Sequence, residues 1–434
     1  MLLFLRVLFS IFLLFTFYSC GHGQSNVIAE GLPQSKGTVS YKILGSLQGD
    51  MILVEDTIDL QNKACSIPEG YLIKMKGGYI KNGTLIGNKT RLKSSKACFN
   101  RVRILGTWNV PVIKSSLFED LSYDNALKDV LALSDSSVNN KIYIGEGNYQ
   151  VTAYCNDDVC IPIKSNTEFV LDGDVWLTPN DFCRSNIIRA TGCNVKIRGK
   201  GTINGDKHTH TGDSGEWGMG IDLKDAHHVF ISGLTIKDCW GDCIYIGSKS
   251  TNVKIERCTL EHGRRQGVSI TSANDVLIKN CVIKNVSGTA PEYAIDVEPN
   301  KNCSVDNVII DNVSSLDCKG GFKATCYPIN ARIGSLIIRN CDISSYEHFV
   351  LKFVNCDSVL LEKCKVVQPR KRRVVLCKNV DNLVISKNTL QYGEGFGEKI
   401  KNRVKDAVLK DTPKLIGLID CDNPIVEDNI EYTH

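Results

Sequence analysis

Past residue 19 the chain has no apolar run long enough to cross a bilayer. It also lacks a dominant charge: 52 Lys and Arg face 48 Asp and Glu, for a net charge of +4. Aromatic residues make up only 7% of it. A chain so balanced and so poor in stacking side chains is not built to grip nucleic acid, and the small positive excess leans only weakly towards anionic partners. What remains is long enough to bury a large core.

The one apolar run lies at the start. Leu2 to Phe17, interrupted only by Arg6, has the length of a signal-peptide core with its flanks. We read residues 1–19 as a signal peptide. The run ends at Phe17-Tyr18-Ser19-Cys20-Gly21, which resembles a bacterial lipoprotein signal, although Phe17 stands where Leu is usual. The resemblance implies lipidation at Cys20, a membrane anchor, and an outer-membrane lipoprotein facing the periplasm or the cell surface. An ordinary cleaved signal would leave Cys20 as a passenger.

The count of 19 Cys suggests disulfides in an exported protein, but their positions point elsewhere. A short pattern of two strands around a bend recurs from Val229, Val253, Val276, Val308, Leu336, Val359 and Leu383, at intervals of 24, 23, 32, 28, 23 and 24. A third strand follows in each copy, as in Cys243-Ile-Tyr-Ile246 and Ala294-Ile-Asp-Val297. Short alternating strands at such a period signal a solenoid. Three strands per turn, without a leucine-rich consensus, give an all-β, right-handed parallel β-helix. Cys258, Cys281, Cys341 and Cys364 share one place in the repeat, so they should stack as reduced thiols in a dry core. Disulfides remain open for Cys155 with Cys160 and for Cys239 with Cys243. Asn252, Asp275, Asn307 and Asn382 suit the corners. Residues 20–120 read as an N-terminal strand-rich segment and 121–434 as the β-helix. Helical spacing over 123–135 predicts a short capping helix, and 390–413 a long loop.

Alternate residues of a strand face opposite sides. The outward residues of the third strand are then Asp222, Tyr245, Ser269, Asp296, Lys323 and Lys352, spaced 23, 24, 27, 27 and 29 apart. They should form a column rising about 4.8 Å per rung, with Glu298 on the same face and Asp242, Arg264, Arg265 and Gln266 where two strands begin. A column mixing Asp, Glu, Tyr, Arg and Lys suits a cleft better than a passive sheet. The Gly-rich loop of 204–219, carrying His208, His210 and Trp217, could roof it, and Trp217 offers a flat surface for a sugar ring.

Trp240-Gly-Asp-Cys-Ile-Tyr-Ile246, then Arg264-Arg-Gln-Gly-Val-Ser-Ile270 and Tyr293-Ala-Ile-Asp-Val-Glu298, resemble the pectin-lyase-like right-handed β-helix proteins of bacteria and phages that act on polysaccharides. A more distant likeness reaches the family 28 glycoside hydrolases. Asp242 matches one of that family's catalytic aspartates. Gly241 and Met219 replace two others, and Arg265-Gln266-Gly267 replaces its Gly-His-Gly. The resemblance implies a polysaccharide partner and leaves three readings. In a glycoside hydrolase, Asp296 and Glu298 would serve as acid and base, assisted by Asp242, with Trp217, Tyr245, Arg264, Arg265, Gln266 and Lys323 binding substrate and no cofactor. In a lyase or epimerase, Asp296 and Glu298 would hold Ca2+ and Lys323, Lys301 or Arg264 would be the base. The third reading is a non-catalytic surface adhesin.

Overall fold

The computed structural model describes residues 37–124, 126–154, 159–368, 373–392 and 415–433. The signal peptide, Cys20, Cys155 and nearly all of the loop expected over 390–413 lie outside them. No helix among the described residues is long and apolar enough to cross a membrane.

Two long parallel sheets, of 11 and 19 strands, wind together into a right-handed parallel β-helix. One coil shows the scheme: Ile244–Gly247, then Ser250–Glu256, then Thr259–Glu261. Each strand pairs with its equivalent one coil on, as Val253 pairs with Val276 and Leu260 with Ile283. The aliphatic residues point inward and form one core running from Leu44 to Leu418.

The corners explain the polar punctuation. Asn252, Asp275 and Asn307 have left-handed backbones, with φ of 53°, 58° and 50°, a conformation that Asn and Asp tolerate best after Gly. Three coils after Asn307, Asn379 and not Asn382 takes that geometry. Asn382 instead donates its side-chain amide to the Asp357 carbonyl.

The thiols sit where the repeat places them. Cys258, Cys281, Cys341 and Cys364 are buried and free. They pair as hydrogen-bonded neighbours, Cys258 with Cys281 and Cys341 with Cys364. Val313 fills the rung between the pairs and donates its backbone N–H to Cys341 Sγ at 3.5 Å. Cys239 and Cys243 are not bridged. Their thiols donate to the carbonyls of Lys237 and Glu261, so the apolar core holds them as packing groups.

Upstream, residues Thr38 to Asn109 form a seven-stranded, mostly parallel sheet. The solenoid sheet begins with Val112–Lys114, which pairs with Asn140–Ile144. The helix spans Ala126–Leu131, shorter than its spacing suggested. Asp135 and Asn140 close a turn after it, and such side chains compete with helical hydrogen bonds. The helix packs between the N-terminal sheet and the first coils. Its buried Asp129 accepts the Ile104 N–H at 2.9 Å and the Tyr123 hydroxyl at 3.0 Å, covering the joint between the two parts.

Candidate functional site

The outward column falls in one register. Arg189, Asp222, Tyr245, Ser269, Asp296, Lys323 and Lys352 are successive partners across six parallel pairings. The strands Tyr293–Val297 and Gly320–Thr325 are buried at every residue, so their outward side is covered as well as their inward side. The column is a floor rather than an open face.

Three charged groups meet on it. Lys323 Nζ donates to Asp296 Oδ2 and to Glu298 Oε2, each at 3.0 Å. Asp296 is only 1% exposed, whereas the Glu298 side chain is 47% exposed and opens the group to solvent. Burial raises the Asp296 carboxyl above the usual range, against the pull of Lys323. The two carboxylates in turn keep Lys323 firmly protonated despite its burial.

Asp242 joins this group through neutral side chains. Its Oδ2 lies 2.7 Å from Ser269 Oγ, and that hydroxyl lies 2.7 Å from Gln266 Oε1. Gln266 Nε2 donates to Asp296 Oδ2 at 2.8 Å. Burial pushes the Asp242 carboxyl up to about 7, and the nearby charge of Arg265 offsets only part of that rise. The Oδ1 atoms of both aspartates are buried and have no hydrogen-bond partner among the described residues. Desolvated, coupled carboxyls in one network are the usual setting for acid–base chemistry.

The other expected site residues fall into two groups. Tyr245 sits in the column, its hydroxyl accepting from Thr271 Oγ1 at 2.7 Å. Arg264 and Arg265 are already engaged. Arg264 donates to the carbonyls of Trp240 and Gly215 and to Thr289 Oγ1. Arg265 pairs with Glu216 at 3.3 Å and reaches the Ala290 carbonyl. Both therefore hold loops over the column. Trp217 is 43% exposed, pairs by a backbone bridge with Arg184, and stacks under that guanidinium at 4.8 Å.

The loop is anchored by contacts that the sequence could not show. His210 Nδ1 bonds Asp206 Oδ2 at 2.8 Å, with both side chains fully buried. The His210 ring stacks on Trp240 at 3.9 Å, and Arg264 stacks on the same indole at 3.7 Å. His208 bonds Asp238 instead. Among the described residues, no three His, Cys, Asp or Glu side chains converge as a metal site. Asp296 and Glu298 do not fit the calcium role, because an ammonium group already occupies the space between them.

Residues 130–307 match the right-handed β-helix region family. Two curated relatives from Bacillus subtilis (strain 168) are similar in part. The SPbeta prophage-derived uncharacterized protein YorA is 30% identical over 32% of this chain and 28% of its own length. The uncharacterized protein YclG is 32% identical over 28% of this chain and 24% of its own length. The chain thus spans about a quarter of the length of these relatives. Among solved structures, the A-module of the mannuronan C-5 epimerase AlgE6 from Azotobacter vinelandii superimposes with a TM-score of 0.50 at 13% identity, covering 72% of this chain and 96% of the module. In architecture, the chain is a right-handed parallel β-helix protein.

Proposed function

We propose that this chain is an exported protein that binds a polysaccharide along the column and cleaves it as a glycoside hydrolase, with Asp242 as the acid and Asp296 as the base. The observation that carries this reading is the contrast between the two carboxyls. Asp296 is paired with Lys323 at 3.0 Å, while Asp242 has only neutral side-chain hydrogen-bond partners; burial raises both carboxyls, Asp242 to about 7 and Asp296 to about 6. Hydrolysis of a glycosidic bond needs that pairing of a protonated and an ionised carboxyl. Glu298 is then a positioning residue, sharing the Lys323 ammonium at the open edge. The lyase alternative has less support, because a Lys323 kept protonated by two carboxylates is a poor base. The mannuronan epimerase module lends this chain a likeness of fold, which many activities share.

Both acids are only 1% exposed, so a sugar reaches them when the loops tied by Arg265 to Glu216 and Ala290 give way. We place the protein in the cell envelope, anchored through a lipidated Cys20, on the strength of the apolar run and the Ser19-Cys20-Gly21 junction. The test is a screen of polysaccharides for new reducing ends, with and without calcium. Asp242→Asn and Asp296→Asn should each abolish turnover of any substrate found while leaving the fold intact. Full activity in both variants overturns the assignment. Binding that survives in both, with no turnover in the wild type, gives the adhesion reading its place.

A further inference from the structure

The hydrogen bonds between Asp242 and Asp296 have a direction, and it can be read from donors and acceptors alone. Ser269 Oγ has one proton but makes two contacts of 2.7 Å, to Asp242 Oδ2 and to Gln266 Oε1. A carbonyl oxygen cannot supply the missing proton. Turning the Gln266 amide over would satisfy Ser269, but it would set Gln266 Oε1 against Asp296 Oδ2 at 2.8 Å. That contact would need a proton on the same oxygen that Lys323 approaches at 3.0 Å. In either orientation the pair of acids holds one proton, and Lys323 decides which acid carries it.

We propose that Ser269 and Gln266 form a relay that keeps one proton on Asp242 and none on Asp296. The Asp242 carboxyl donates to Ser269 Oγ, Ser269 donates to Gln266 Oε1, and Gln266 Nε2 donates to the Asp296 carboxylate. Ser269 and Gln266 are positioning residues, acting through the two acids. The charges facing Asp242 are Arg264, Arg265 and Asp296, with the ionisable Tyr245 beside it. Those facing Asp296 are Lys323, Glu298 and Lys352. Lys323 touches Asp296 directly, whereas Arg265 is drawn off to Glu216. A serine that donated to Asp242 would favour its ionised form. Here the serine proton is directed to Gln266, so the serine oxygen accepts and the neutral acid gains a bond.

This inference rests on the reading of Asp242 and Asp296 as a working pair, but its test needs no substrate. Aspartate carboxyl carbons are labelled with carbon-13 in the full chain and followed across neutral pH. The expected result is one aspartate that titrates near neutrality, whose signal is lost in Asp242→Asn and kept in Asp296→Asn. Gln266→Leu should move Asp242 to lower pH and Asp296 to higher pH. In a Ser269→Ala background, Gln266→Leu should leave Asp242 where it is. A neutral-pH signal that belongs to Asp296, or an Asp242 that ignores Gln266→Leu in the otherwise wild-type chain, overturns the relay. The wild-type spectrum suffices if a variant does not fold, because the absence of any aspartate protonated near neutrality overturns it as well. Loss of the hydrolase reading on the polysaccharide screen would leave these titrations unchanged.

Discussion

The guanidinium carbon of Arg264 lies 3.7 Å from the centre of the Trp240 ring, whose other face is stacked by His210. This layer fastens the 204–219 loop to the coil that carries Asp242. Arg264→Ala removes three hydrogen bonds and the stacking contact. Bonds to a charged group contribute about 1.5–3 kcal/mol, so we expect a clear loss of protection in the loop. Hydrogen exchange should rise across 206–219 and stay low in the strands Ser250–Glu256 and Ala273–Lys279.

Stability should depend on pH through Asp242. Its folded carboxyl titrates at about 7 against an ordinary value of 3.8. Between those values the folded state holds more protons than the unfolded one, so stability present in acid is lost as pH rises through neutrality. The slope is about 1.4 kcal/mol per pH unit within that window. Asp242→Asn, which cannot ionise, should flatten this contribution and raise the denaturation midpoint above neutral pH. Chemical denaturation at several pH values checks it.

Lys323→Met leaves the buried Asp296 beside Glu298 with no cation between them. Removing one partner of a buried pair costs about 3–5 kcal/mol. The loss should be smaller in acid, where Asp296 is neutral, and greatest above neutrality. Adding Asp296→Asn to the same chain should recover part of the stability, measured by thermal unfolding.

The cysteines should differ sharply in reactivity. Cys183 and Cys193 are exposed, whereas Cys258, Cys281, Cys341 and Cys364 are buried in the core. The neighbouring thiols of Cys281 and Cys341, and then burial, raise the Cys258 and Cys364 thiols further from their reactive form. A maleimide reagent followed by mass spectrometry should label Cys183 and Cys193 in the native protein and reach the four core thiols only on unfolding.

Cys20→Ala should release the protein from membranes if Cys20 carries the lipid. Fractionation of the expressing cells reads this directly. A wild type already found in the soluble fraction would remove the anchor.

The fold was legible because each coil repeats one demand: aliphatics inside and a corner residue that tolerates left-handed backbone, with a thiol at a fixed place in four of the coils. The column was legible for the same reason, since Asp222, Tyr245, Ser269, Asp296, Lys323 and Lys352 recur near one coil length. The roles within it were less so. Spacing put Asp296 and Glu298 together as acid and base, but only side-chain directions place Lys323 between them. Spacing also marked Arg264 and Arg265 as binding groups, because a sequence cannot show that Gly215, Glu216 and Ala290 already take their bonds. Ser269 looked like an ordinary outward serine until its two short contacts were seen.

Each coil leans only on the one before it and the one after it, so the helix behaves as a stack rather than a single block. The rungs from Asp242 to Lys323 have coils on both sides. Among the described residues, the coils of Leu351–Glu362 and Val375–Ser386 lie between the acids and the half-exposed Ile425 and Ile430. Loosening around those two residues must pass through both coils before it reaches the acids, so the geometry of the site is insulated from it.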